Sequence, residues 1–431
     1  MNRTGPVVCH ECDLLQRSVP VAPGGALRCR RCHAELYRNR EDSLTRALAF
    51  ATAAGVLFVI SNLYPIVGLS IGGTVVETTL AGSVRVLYVD GIWPLAGLVF
   101  ATTMLMPFVQ IAGMLWLLVP LRMNRVPACA ALVFRLCHLA APWGMTEVLI
   151  LGLLVALVKL AHIASVVTGV ALYSFGALML VLAAAGAAFD AHELWSRIDA
   201  ARGHGHGRRG GMPMPMPRGA VTAAGCGLAL CHDCGQLSRA PADAHDLACP
   251  RCGAALHLRK PASVSRTWAL LIAAIVLYIP ANVLPVMYTS SLFGAQKDTI
   301  LSGVVYLWVS GSWPLAVVVF VASIAVPLLK ILALAYLVFT VQRHSRWLQE
   351  QRTRIYRMVE FVGRWSMLDI YVITMLVALV QFQALATIKA GPAAIAFGAV
   401  VVLTMFAATT FDPRLIWDTG EQHHGWPRAE A

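Results

Sequence analysis

The sequence predicts a polytopic α-helical membrane protein built by tandem duplication. A four-helix transmembrane module occurs twice, each copy preceded by a small cytoplasmic four-cysteine zinc ribbon. Three observations predict it. The 431 residues are 58% hydrophobic and 13% charged, against about 25% charged for a soluble domain. Windows without charge recur at membrane length, roughly 20 residues at about 1.5 Å rise each. Most motifs also return about 220 residues downstream, as Asn62 does at Asn282.

The first element is a ribbon over residues 1–42. The opening MNRTGPVVCHEC is polar and cysteine-bearing, so no cleavable signal peptide is expected. Cys9-x2-Cys12 is followed by Cys29-x2-Cys32, and in the second copy Cys231-x2-Cys234 is followed by Cys249-x2-Cys252. Two CxxC turns at this separation can bring four thiolates to the corners of a tetrahedron, the geometry structural zinc prefers. Cytoplasmic thiols stay reduced, which disfavours disulfides. Arg28, Arg30, Arg31 and Arg251 suit a site of negative net charge. Two zinc ions are expected, with iron the alternative because it accepts the same four sulfurs. Cys129, Cys137 and Cys226 are left over and read as small apolar residues.

The first transmembrane module is placed at 43–196 and the second at 263–417. Uncharged windows cover 47–76, 91–121 and 160–189, and 136–161 is interrupted only by Glu147 and Lys159. In the second copy 267–296, 299–329 (running past Lys330 to 342), 365–388 with Asp369, and 390–411 repeat the plan. Eight spans result. The Asn62-Leu-Tyr-Pro65 and Asn282-Val-Leu-Pro285 segments align, as do Gly91-Ile-Trp-Pro-Leu-Ala96 and Gly311-Ser-Trp-Pro-Leu-Ala316. Pro107 meets Pro327, Trp143 meets Trp365, and Phe189-Asp190 meets Phe411-Asp412. Four spans per copy give a parallel repeat.

Charge sets the orientation. The net +12 collects in alternate loops. Eight arginines precede the first span, nine Lys/Arg lie from Arg197 to Lys260, and six arginines run from Arg343 to Arg364. The intervening loops hold at most one each, Arg85, Lys297 or Lys389. Positive loops stay inside, so both termini and the linker are expected in the cytoplasm and 68–91 and 288–312 outside. Those outer segments either dock a partner or serve as turns. Trp93 and Trp313 read as interfacial anchors. Between the copies, 197–225 is rich in Gly and Pro and reads as a flexible tether; its His204 and His206 are a weaker metal-binding option. The second ribbon occupies 226–262, and 418–431 is a disordered tail.

Ribbon plus four spans, twice, with Trp-Pro-Leu opening the second span of each copy and Phe411-Asp-Pro-Arg-Leu-Ile-Trp-Asp418 closing the last, resembles the paraquat-inducible protein A family (PqiA/LetA-like). The resemblance covers all but the tether and tail. The first copy departs from the closing motif, with Ala191-His192-Glu193 in place of Pro413-Arg414-Leu415. The resemblance implies a bacterial inner-membrane protein working with a periplasmic partner built of MCE (mammalian cell entry) domains. It would load or unload phospholipids for a tunnel between the inner and outer membranes. No P-loop, Gly-x-Ser-x-Gly elbow or histidine metal motif supports ATP-driven or hydrolytic chemistry, so an enzyme is not expected, and no nucleic-acid partner either. An ion-coupled small-molecule transporter and an iron-bearing redox protein are the alternatives.

The working site is expected in the second copy. Lys330 and Asp369 lie in otherwise uncharged stretches, and ionisable groups in hydrocarbon normally face the bundle interior with a partner. Thr404 sits at comparable depth. Pro327 frees the carbonyl of Ser323, which lies about two turns before Lys330. Ser323, Lys330, Asp369 and Thr404 form the predicted polar cluster. In the first copy Gln110 and Leu182 replace Lys330 and Thr404, while Glu147 keeps the acid. The alternative role is a buried ion pair that fixes helix packing.

Overall fold

Proline and glycine decide where the apolar windows stop being helix. A computed structural model describes residues 5–40, 42–71, 74–89, 91–144, 146–160, 165–202, 222–240, 247–291, 294–309, 311, 313–363, 371, 381–382 and 386–418. The first ribbon is two short hairpins, β1 (Pro6–Val8) with β2 (Leu15–Arg17) and β3 (Ala26–Arg28) with β4 (Glu35–Arg38). Helix α1 (Ser43–Leu63) then runs away from it and stops at extended Tyr64, because a residue before proline is driven out of the helical region. The rest of that window is a hairpin, β5 (Val67–Ile71) and β6 (Thr74–Thr78), followed by the short α2 (Leu80–Val89).

The return span starts at Trp93 with proline in its first turn. It is one rod, α3 (Trp93–Phe100), a π-helical turn (Ala101–Leu105) and α4 (Met106–Arg122). Pro107 has no N–H to offer the carbonyl four residues back, and the wider turn absorbs the defect. Thr103 Oγ1 donates to Val99 O at 2.8 Å in the same place. The third window breaks at Pro142 and Gly144 into α5 (Ala130–Ala140) and α6 (Thr146–Leu160). Strand β7 (Ser165–Thr168) pairs with β5 to complete a three-stranded sheet of order β6-β5-β7, and α7 (Val170–Ala188) returns. Asp190 caps α8 (Ala191–Ala201) through the His192 and Glu193 amides. That helix continues past residue 196, so the first residues assigned to the tether are helical; 203–221 lie outside the described residues.

The second copy repeats the order. Its ribbon is β8 (Leu228–Leu230) with β9 (Leu237–Arg239) and β10 (Leu247–Ala248) with β11 (Ala255–Leu256). Then come α9 (Ser263–Val283), β12 (Met287–Ser291), β13 (Gly294–Asp298) and α10 (Ile300–Val309). The rod is α11 (Trp313–Phe320), a π-helical turn (Val321–Ala325) and α12 (Val326–Gln342). Helix α13 (Gln349–Gly363), β14 (Gln381–Phe382), β15 (Ala386–Ala390) and α14 (Pro392–Thr410) close the copy. Its sheet has the order β13-β12-β15-β14.

Among the described residues seven helices are long and apolar enough to cross a membrane. The eighth expected span, 365–388, falls largely on residues outside the described set. Its last part is not helix but β14 and the start of β15. The outer segments are likewise hairpins with a short helix, where the uncharged windows had suggested longer spans. Apolar strands and apolar helices look alike by charge count. In each copy the first and fourth spans pack against each other most closely, α1 on α7 and α9 on α14. Their sheet ends meet backbone to backbone: an ideal Cβ on Gly169 would lie 2.0 Å from Pro65 O, and on Gly391 2.2 Å from Pro285 O. Only glycine fits there.

Candidate metal centres and an intramembrane polar pair

Each CxxC closes a hairpin by the same local device. Cys9 N donates to Leu14 O and Asp13 N to Cys9 O, while Asp13 takes a left-handed φ of 60°. His33, Gly235 and Gly253 occupy the matching position with φ of 60°, 68° and 67°. This turn aims both thiols of a pair into one space. All eight cysteines are buried and unbridged. Within each group the four Sγ atoms lie within 4.8 Å of one another. Cys9 and Cys32 are 3.4 Å apart, Cys12 and Cys29 3.5 Å, Cys231 and Cys252 3.5 Å, and Cys234 and Cys249 3.6 Å. Four sulfurs about 2.3 Å from one ion stand about 3.8 Å apart at tetrahedral angles, so both groups can hold a metal ion. All four donors come from the chain, which suits a structural centre.

The ribbons are exchanged between the copies. The first ribbon's cysteines share an apolar cluster with Leu337, Val338 and Val341 of α12, Tyr356 of α13, and Phe411, Ile416 and Trp417. All of these belong to the second copy. The second ribbon's cysteines cluster with Leu44 of α1, Leu117 of α4, Phe134 of α5 and Leu194, Trp195 and Ile198 of α8, all in the first. Charge follows the same crossing. Arg31 lies 4.3 Å over the Trp417 ring, and Arg251 pairs with Asp199 at 3.0 Å. Arg357 of α13 donates from Nε to Glu11 at 2.8 and 2.7 Å and from Nη2 to Cys32 O at 2.8 Å. Burial pushes the Glu11 carboxyl up, but hydrogen bonds from His10 and Arg357 outweigh it and hold it below the usual range. The ribbons also touch each other: Val8 and Leu15 pack on Ala223 and Leu228, and Ala224 N donates to Asp13 Oδ2 at 3.0 Å. Sequence reasoning missed the exchange, because contacts between distant positions, such as Arg31 on Trp417 and Arg357 on Glu11, leave no local trace.

A charged knot locks the closing motif. Asp412, fully buried, accepts from Arg414 Nε and Nη2 at 2.9 Å each, from Arg414 N at 3.1 Å and from Lys260 N at 3.0 Å. Burial opposes ionisation of Asp412, yet these donors prevail and its carboxyl is held down at about 2. Arg259 joins Asp418, at 2.7 Å, to Asp13, at 3.0 Å. Asp418, assigned by sequence to the disordered tail, is therefore fixed; residues 419–431 lie outside the described set.

Of the predicted polar cluster, the structure brings Lys330 and Thr404 together. Lys330 is 2% exposed and its Nζ donates to Thr404 Oγ1 at 3.1 Å. Gly363 makes room, since an ideal Cβ there would lie 3.3 Å from both Lys330 Cε and Nζ. Ser323 is buried in the π-helical turn, and its hydroxyl donates to Val319 O at 2.6 Å in its own helix. Asp369 lies outside the described residues. In the first copy Leu182 is buried, whereas Glu147 is exposed at the start of α6. Two contacts that sequence reasoning missed join the copies inside the bundle. Tyr371 Oη donates to Thr102 Oγ1 at 2.9 Å, and the Trp143 and Phe406 rings lie 5.3 Å apart.

Comparison with known proteins agrees with this architecture. The model of the family described as paraquat-inducible protein A matches twice, over residues 44–199 and 264–421. The intermembrane transport protein PqiA of Escherichia coli K12 is 35% identical over 96% of this chain and 95% of its own. The lipophilic envelope-spanning tunnel protein A of the same strain is 31% identical, covering 96% of this chain and 91% of its own. A probable intermembrane transport protein of Haemophilus influenzae is 29% identical over 95% of each. No solved structure matches. With both halves of the chain covered and two exchanged four-cysteine ribbons in place, this membrane protein belongs to the paraquat-inducible protein A family.

Proposed function

We propose that the protein is a bacterial inner-membrane component of a lipid-trafficking system, loading or unloading phospholipids for a periplasm-spanning MCE-domain partner. It acts as a transporter rather than an enzyme. In this reading eight spans place both termini, the tether and both ribbons in the cytoplasm, and each ribbon holds one zinc ion. The sheets β6-β5-β7 and β13-β12-β15-β14 then face the periplasm, where the partner docks.

The observation that carries the reading is a lysine ammonium held on Thr404 inside an apolar bundle, in a chain whose relatives are named an intermembrane transport protein and a lipophilic envelope-spanning tunnel protein. An ammonium in hydrocarbon is costly and marks a pathway more often than a scaffold. Asp369 is its proposed acidic partner, Ser323 completes the cluster, and rearrangement of this cluster gates lipid passage. The test is transfer of labelled phospholipid from vesicles carrying the protein to its co-purifying MCE partner. Lys330→Ala and Asp369→Asn should abolish transfer with normal expression and metal content, and Glu147→Gln should be milder. Transfer at the parental rate in both second-copy variants refutes the gating role; loss of folded protein alone assigns the cluster to packing.

A further inference from the structure

The stronger of the two exchanged ribbon contacts sits beside the only copy that carries the lysine and threonine. Glu11 lies between the ligand-spaced Cys9 and Cys12, and the Cys32 carbonyl belongs to the opposite turn of the same four-sulfur group. Arg357 holds both at once. Strands of three or four residues cannot fix those turns unaided, so metal closure sets where Glu11 and the Cys32 carbonyl stand.

Helix α13 carries that position inward. From Arg357 to Gly363 it rises about 9 Å at 1.5 Å per residue, and Gly363 lies against the Lys330 ammonium. One residue before Arg357, Tyr356 Oη donates to Ala408 O at 3.3 Å, one turn along α14 from Thr404. The same helix thus bears on both members of the pair. In the first copy the corresponding Arg135 donates to Gly253 O at 3.3 Å, and Asp233, in the place of Glu11, stands 3.9 Å from His138 Nδ1 instead. The clamp with a carboxylate occurs beside Lys330, and its counterpart beside Gln110 and Leu182 lacks it.

We propose that Arg357 is a positioning residue through which the four-cysteine centre of the first ribbon sets the Lys330–Thr404 pair of the opposite copy. The inference rests on the transport reading for its consequence but is measured without transport. The full-length protein in phospholipid nanodiscs is treated briefly with acetic anhydride, and acylation of Lys330 is followed by peptide mass spectrometry alongside metal content. Arg357→Gln and Glu11→Gln should raise the Lys330 acylation rate about tenfold, the scale on which losing a charge-assisted hydrogen bond shifts a local opening. Metal content should stay at that of the parent, and Arg357→Lys should recover part of the protection. Arg135→Gln should leave Lys330 unchanged. Parental acylation in Arg357→Gln, or equal deprotection by Arg135→Gln, overturns the proposal. A vesicle assay separates the two ideas. Transfer undiminished in both Lys330→Ala and Asp369→Asn refutes the gating role, and no transfer by the parent refutes the transport reading, while the acylation result still decides the positioning role.

Discussion

Replacing Asp412 by Asn removes one charge and keeps the shape of the closing motif. Asp412 is enclosed and accepts two hydrogen bonds from the Arg414 guanidinium, which is itself 2% exposed. Removing one partner of a buried pair costs about 3–5 kcal/mol, because the other charge stays buried. Asp13 remains near Arg414 and moderates this, which places the loss at about 3 kcal/mol. Asp190 holds the equivalent position in the first copy, but it caps α8 through two amides and faces His192 where Asp412 faces Arg414. Asp190→Asn should therefore cost only a fraction of a cap, about 0.5 kcal/mol. Thermal unfolding in detergent at pH 7 should drop by roughly 3 °C for Asp412→Asn and by about 0.5 °C for Asp190→Asn. Acid titration supplies a second reading. With a carboxyl at about 2 in the folded protein and about 3.9 unfolded, the stabilisation is complete above pH about 4. It is lost as pH falls through about 2. The parent should lose about 2–3 kcal/mol across that window that Asp412→Asn does not lose. Equal melting temperatures for the two variants, or an unchanged acid slope, would refute the reasoning.

Purification without chelators should yield two metal ions per chain by elemental analysis, zinc if the protein is colourless and iron if it absorbs in the visible. Cys→Ser at any of the eight ligands should lower metal content and accumulation together, and less than about one ion per chain would count against the centres. Gly391→Ala forces a methyl to within 2.2 Å of Pro285 O and should destabilise by roughly 3 kcal/mol or more. Gly186→Ala in α7, where a Cβ meets nothing within 4 Å, is the control. Replacing residues 203–211 by an unrelated flexible sequence of equal length should leave phospholipid transfer intact; loss with normal expression would mean that the tether binds something.

The membrane class, the duplication and the eight cysteines were legible because each has a local or periodic signature. Charge-free windows reveal apolar length, CxxC spacing reveals a tetrahedron, and self-alignment reveals the repeat. The same windows concealed the sheets: Val67–Ile71 and Ser165–Thr168 are as free of charge as the helices beside them. Pro65, the Gly72-Gly73 pair and Gly169 mark the change. Burial of charge demands a partner, which points to a cluster around Lys330. Thr404 enters it by depth and does meet the lysine, whereas Asp369, the acid expected to pair with it, lies outside the described residues. Ser323 was placed by counting helical turns, and the π-helical turn at Val321–Ala325 alters that count. The exchange of ribbons left no signal at all, since it depends on contacts such as Glu11 with Arg357, 346 positions apart.

That exchange imposes an order on biogenesis. The first ribbon is made at the start of synthesis, yet its seat on α12, α13 and Trp417 is made at the end. More than 300 residues separate Cys32 from Arg357, so at about 5–20 residues per second the ribbon waits roughly 15–60 s for its seat. The second ribbon finds its seat already inserted in the membrane. A nascent chain therefore carries one ribbon that can rest on its sister ribbon but not on its own seat until the last span emerges, and neither half made alone would be finished. Two halves produced as separate polypeptides should each be short-lived and should rescue one another when made together.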